Sequence, residues 1–119
     1  MFITGIKAIV ASSLAVWHFG PHDNVRVEAG EQSVRVTAYG PAAFVPMQLG
    51  YGELRRCVLQ IESCAGHCEF GKRGTIDARK VGDGMCQWTF ADSLHANVVD
   101  IDLDEPGLAR ALATLRSIL

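Results

Sequence analysis

Val25-Arg26-Val27-Glu28-Ala29-Gly30-Glu31-Gln32-Ser33-Val34-Arg35-Val36-Thr37 is the stretch on which the fold turns. Valines alternate with charged or polar residues on both sides of Ala29-Gly30-Glu31-Gln32. That two-residue period is the period of a strand with one buried face. Gly30 and its polar neighbours supply the turn, so the segment is predicted to be a β-hairpin. On a helix Val25, Val27, Val34 and Val36 would form no common face.

The hairpin informs the residues before it. Ser13-Leu14-Ala15-Val16-Trp17-His18-Phe19-Gly20-Pro21 shares a pattern with Ser33-Val34-Arg35-Val36-Thr37-Ala38-Tyr39-Gly40-Pro41. Both run serine, aliphatic, any residue, valine, two free positions, aromatic, Gly-Pro. Because the second copy reads as a strand, Leu14–Phe19 is predicted to be one also, with Ile6–Val10 as its partner. This outweighs the near-helical spacing of Ile3, Ile6, Val10, Leu14 and Trp17. His18 aligns with Ala38 and is expected to face inward. The apolar run Phe2–Phe19 is interrupted by Lys7, Ser12, Ser13 and His18, which is too polar and too short for a membrane span. Its single, deeply set lysine also suits a secretory leader poorly. A cytoplasmic chain with reduced thiols is therefore expected.

After Tyr39 the pattern breaks. Gly40–Glu53 contains Pro41, Pro46, Gly50 and Gly52 and reads as a long irregular loop. Long loops in compact domains are often functional, and this one carries apolar side chains. Phe44, Met47, Leu49 and Tyr51 are its candidate partner-binding residues. From Arg56 alternation returns, with Cys57, Leu59 and Ile61 predicted on one face of a strand. Thr75–Val81 and Met85–Ala91 form a second hairpin around Gly82-Asp83-Gly84. It places Cys86, Trp88 and Phe90 opposite Gln87 and Thr89. Val98–Leu103 is a further strand.

A C-terminal helix follows. Asp104 suits the N-cap, and Glu105 and Pro106 suit the first turn. Leu108, Leu112, Leu115 and Leu119 make one apolar stripe, opposite Arg110, Thr114 and Ser117. The stripe requires the helix to dock on the body. The predicted fold is α+β. It has seven or eight mostly antiparallel strands, in a barrel-like or strongly bent sheet, and one C-terminal helix packed on it. Its layout is similar to that of small helix-plugged barrels such as pleckstrin-homology-like domains, a likeness of architecture that implies no activity.

Composition sets limits on function. The 119 residues, 49% hydrophobic and 20% charged, make a single domain, 1–119, able to bury a sizeable core. Such content excludes disorder. Eleven basic against thirteen acidic residues, net charge −2, offer no broad footprint for nucleic acid.

The richest chemistry lies at Cys64-Ala65-Gly66-His67-Cys68. Cys64, His67 and Cys68 are the candidate metal ligands, with Cys57 or Cys86 to complete a zinc set. The spacing departs from a C-x₂-C knuckle, and thiols beside Leu59, Ile61, Trp88 and Phe90 are ordinary core residues. A Cys64–Cys68 or Cys57–Cys86 disulfide is an equal alternative. A cysteine nucleophile with His67 as base lacks an orienting acid or amide. Gly66–Arg73 nearly matches a phosphate-binding loop, but Arg73 replaces the Mg²⁺-binding hydroxyl and a strand follows where a helix is needed. Lys72 and Arg73 are then expected to be solvated at a turn. Asp100, Asp102 and Asp104 alternate with Ile101 and Leu103, as on a solvated strand face. An EF-hand would need Gly and Glu where Glu105 and Ala111 stand. His18, His22 and His95 have no specified acid partner.

The expected function is that of a non-enzymatic adaptor, regulatory or neutralising domain that recognises a protein or peptide. The alternative is a small metal-dependent or cysteine-based enzyme centred on Cys64, His67 and Cys68. No membrane or nucleic-acid partner is expected. The outer strands show no obvious blocking proline, so a homodimer through a strand edge is expected as well.

Overall fold

The computed structural model describes residues 14–119. Among them the chain runs β1 (Ala15–Phe19), β2 (Val25–Ala29), β3 (Ser33–Tyr39), β4 (Phe44–Gly50) and α1 (Tyr51–Ile61). It continues with β5 (Gly66–Glu69), a 3₁₀ turn (Gly71–Arg73), β6 (Thr75–Gly82), β7 (Met85–Ala91), β8 (Val98–Asp104) and α2 (Glu105–Ile118). The strands form two antiparallel four-stranded sheets, β1-β2-β3-β4 and β5-β6-β7-β8, which do not close into a barrel. The mostly antiparallel α+β class is as expected; barrel closure is not, and the described residues contain two helices rather than one.

The described residues are therefore two ββββα units in tandem. Their equivalence shows in the last strand and helix of each. Val45, Met47 and Leu49 face the core from β4, as Val99, Ile101 and Leu103 do from β8. Cys57, Val58 and Ile61 are buried on α1, matched by Ala111, Leu112 and Leu115 on α2. The same sequence distance separates every pair. The shorter Ser13/Ser33 pattern is not this repeat, because Val16 is 42% exposed while Val36 is buried. His18 is accordingly exposed rather than inward. The expected strand Ile6–Val10 lies outside the described residues.

Each helix packs on the first strand of the other unit: α1 on β5, and α2 on β1. This exchange, together with the approach of β4 to β8, joins the units around one core cluster drawn from both sheets and both helices. Phe19 of β1 and Trp88 of β7 meet edge-to-face in it, with ring centroids 5.9 Å apart.

The hairpin reading of 25–37 holds, with Val27 opposite Val36 and Arg26 opposite Thr37. So do the β6–β7 hairpin, β8 and the C-terminal helix. Asp104 Oδ1 accepts the Gly107 N–H at 2.8 Å as the expected cap.

Two readings are corrected. Gly40–Glu53 is not a loop: its centre is β4, and Tyr51 begins α1. Pro46 is tolerated because β4 is an edge strand, where a missing N–H leaves no ladder bond unmade. That same proline blocks one outer strand, contrary to expectation, while β1, β5 and β8 carry none. Cys57–Ile61 is helix, not strand. Cys57 and Ile61 fit both periods, but Leu54 and Val58 complete the helical stripe and are buried, whereas Leu59 is 63% exposed.

Candidate functional site: an exposed aromatic pair and a cysteine-lined cleft

Strand alternation dictates what the first sheet shows to solvent. Val34, Val36 and Ala38 point inward from β3, and Val45, Met47 and Leu49 point inward from β4. Tyr39 and Phe44, directly opposite each other in the ladder, are thereby turned outward. Their rings stack with centroids 6.3 Å apart and an interplanar angle of 24°. Tyr39 is 40% exposed and Phe44 58%. The link between them is closed by the Gly40 N–H donating to the Ala43 carbonyl at 2.8 Å. Arg26, Arg35, Pro46 and Gln48 extend the same outward face by their register with Thr37 and each other. Arg35 is exposed and Arg26 half-buried.

Of the four residues expected to meet a partner, only Phe44 is presented. Met47 and Leu49 are buried. Tyr51 is half-buried, and its hydroxyl donates to the Gly30 carbonyl, holding the start of α1 against the β2–β3 turn. Tyr39 escaped the sequence reading. Its signal was its place across a Gly-Pro turn from Phe44.

Cys64, His67 and Cys68 do not converge. On β5, His67 points to the outer face and Cys68 to the core, as successive strand residues must. Cys64 is bridged to Cys86 with a Cα–Cα distance of 5.7 Å, a pairing different from either expected one. Among the described residues no group of three or more His, Cys, Asp or Glu side chains could hold a metal ion. His67 Nδ1 pairs with Asp77 and Nε2 lies 3.3 Å from Glu69 Oε1. Asp77 first, then Glu69, hold its imidazole above the ordinary pKa. A nucleophile–base pair of Cys68 and His67 is thus not formed.

The two unbridged thiols, Cys57 and Cys68, are both buried. They line a small cleft of about 70 Å³ together with Glu53, Arg56, Gln60, Glu69 and Phe70. Cys68 Sγ lies 3.8 Å from the Cys57 carbonyl oxygen and 3.7 Å from Gln60 Oε1. The Cys68 thiol and burial push Cys57 upward, while the hydrogen bond from Cys57 pulls Cys68 down. Lys72 and Arg73 are exposed in the 3₁₀ turn, as expected, but Arg73 is also bound to Glu53 at 2.8 and 2.6 Å.

A larger cleft of about 370 Å³ opens beside the Cys64–Cys86 bridge, between Glu62, Lys80 and the start of α2. The outer face of the second sheet is a polar network. Thr89 donates to Asp100 at 2.6 Å, and Gln87 donates to Asp102 at 3.0 Å while accepting from Arg79.

Fold and site together define a two-sheet α+β protein built from a tandem ββββα unit, with an aromatic pair displayed on its first sheet. Comparison with protein-family models, with curated proteins and with solved structures finds no match for this chain. No helix among the described residues is long and apolar enough to cross a membrane.

Proposed function

We propose that this protein is a small, non-enzymatic binding module that docks a protein or peptide on the outer face of its first sheet. The observation that carries this reading is the stacked, solvent-facing Tyr39–Phe44 pair. Single exposed apolar residues are ordinary on monomer surfaces. Two aromatic rings fixed against each other on a rigid hairpin offer a preorganised contact area, and aromatic and arginine side chains dominate binding hot spots. On the same face Arg26 pairs with Glu28 at 3.6 Å and Glu28 lies opposite Arg35, so the local charge is largely balanced and the aromatic anchor carries the recognition.

Self-association through the same aromatic pair is the alternative occupant. Strand-edge dimerisation is opposed at β4 by Pro46, whereas the edge strands β1, β5 and β8 carry no proline. The expected cytoplasmic location is not carried into this reading. The Cys64–Cys86 bridge opposes it, because structural disulfides persist mainly in oxidising compartments.

A displayed peptide library panned on the wild-type chain tests the proposal, with a Phe44→Asp variant as counter-bait. Enrichment of peptides with an apolar or aromatic anchor that bind the wild type and not the variant is the expected result. Peptides that bind both equally, or no enrichment at all, overturn it. Light scattering across the micromolar range separates the self-association alternative.

A further inference from the structure

We propose that Cys57 and Cys68 are an oxidisable dithiol, a modification site at which hydrogen peroxide forms a second disulfide tying α1 to β5. The backbone brings the two thiols together at Gly66. A Cβ on Gly66 would run into the Gln60 carbonyl group, so α1 lies against β5 at a distance only glycine allows. Cys57, just under a turn before Gln60, and Cys68, two residues beyond Gly66, then face each other across that contact. The Cys57 carbonyl lies 3.8 Å from Cys68 Sγ.

Both thiols line the same cleft of about 70 Å³. That is room for a molecule the size of peroxide beside the sulfurs. The cleft carries Arg56 and Gln60 beside the sulfurs. The downward push on the Cys68 thiol raises its thiolate fraction, the nucleophilic form. Cys64 and Cys86 are already joined and take no part.

In the first step the Cys68 thiolate attacks one peroxide oxygen. The O–O bond breaks, hydroxide leaves and takes up a proton, and Cys68 becomes a sulfenic acid. In the second step the Cys57 sulfur attacks the Cys68 sulfur. The S–O bond breaks, and the departing hydroxide leaves as water with the Cys57 proton. Two thiols lose two electrons in all, and peroxide is reduced to two waters. The new bridge fastens the helix of the first ββββα unit to the first strand of the second, at the helix exchange that holds the units together.

The test is a thiol census on the full chain without reductant, by alkylation under denaturing conditions and by peptide mapping, before and after peroxide. Before treatment, alkylation is expected at Cys57 and Cys68 only. After treatment both are lost and a cross-linked peptide joins Cys57 to Cys68. With Cys57→Ala, Cys68 is expected to stop at the sulfenic acid and to be trapped by dimedone, which does not accumulate on the wild type. Thiols unchanged by peroxide, a Cys68–Cys64 cross-link, or equal trapping in wild type and variant each overturn the proposal. The wild-type map decides alone if Cys57→Ala does not fold.

Discussion

Arg73 grips the Glu53 carboxylate with both terminal nitrogens, at 2.8 and 2.6 Å, although twenty residues separate them. The same guanidinium donates to the Gln48 and Phe70 carbonyls, and Glu53 Oε1 also accepts the Gly50 N–H at 2.9 Å. One ion pair thus fixes the end of β4, the first turn of α1 and the 3₁₀ turn before β6. Its fork geometry is the arrangement in which an exposed pair contributes measurably.

The Arg73 guanidinium, followed by the Gly50 N–H, lowers the Glu53 carboxyl to about 2. A depressed folded-state pKa means stability that is full above the unfolded-state value of about 4.3 and is lost as pH falls towards about 2. The Arg73 side chain is 44% exposed, so solvent screening reduces the contribution to about 1 kcal/mol. Glu53→Gln is expected to lower stability at pH 7 by that amount and to flatten the acid limb. Urea melts between pH 7 and pH 2 check both; parallel acid limbs for the two proteins would refute the assignment.

Two glycine substitutions should differ in sign. At Gly66 a Cβ meets the Gln60 backbone, which cannot yield without moving α1 off β5. Gly66→Ala is expected to destabilise by about 2–3 kcal/mol. At Gly52, in the first turn of α1, nothing lies within 4 Å of an added Cβ. Gly52→Ala is expected to stabilise by roughly 0.5 kcal/mol through lower backbone entropy in the unfolded chain. Chemical denaturation of the pair measures the contrast.

Trp88 is 1% exposed, and its indole N–H has no hydrogen-bond partner among the described residues. Trp88→Ala removes the edge-to-face contact with Phe19 and opens a core cavity, with an expected loss of about 3–5 kcal/mol. Trp88→Phe also loses volume but removes an unpaired buried donor, and the two effects partly offset. Its expected loss is under about 1.5 kcal/mol. Thermal and urea unfolding of both variants check the order; equal losses would show that packing alone sets the cost.

His67 should titrate above the ordinary imidazole range, because Asp77 and then Glu69 favour its charged form. A raised folded-state pKa gives stability that is present at low pH and fades as pH rises through it. The side chain is 58% exposed, so the stability effect is small and NMR titration is the sensitive measurement. Asp77→Asn is expected to lower the midpoint. A midpoint unmoved by that change would show that the carboxylate does not act on the ring.

Elements with one unambiguous period were legible from sequence. The 25–37 hairpin, the β6–β7 hairpin, β8 and the capped C-terminal helix each carry alternation or a stripe that only one structure satisfies. The Cys57–Ile61 segment was misread because its cysteine and isoleucine fit both a strand and a helix. Phe44–Gly50 was misread because Pro46 breaks a central strand but not an edge strand, and edge position is a property of the sheet. Of the candidate site, Phe44 was legible as an apolar residue in a suspicious place. Tyr39 was not, because an aromatic at a strand end reads equally well as core.

Where the period is unambiguous, the sequence by itself determined the local conformation and which side chains turn inward, since those follow from periodicity and turn chemistry along a few neighbouring residues. Tertiary structure alone decided the partners. It brought Cys64 to Cys86, Cys57 to Cys68 and Glu53 to Arg73, and it exchanged the helices between the two ββββα units. Those choices rest on how the sheets and helices pack, which no local pattern encodes. The reading of Cys64-Ala65-Gly66-His67-Cys68 shows the difference most clearly. Strand alternation separates His67 from Cys68, and the close approach at Gly66 gives Cys68 a neighbour eleven residues earlier instead.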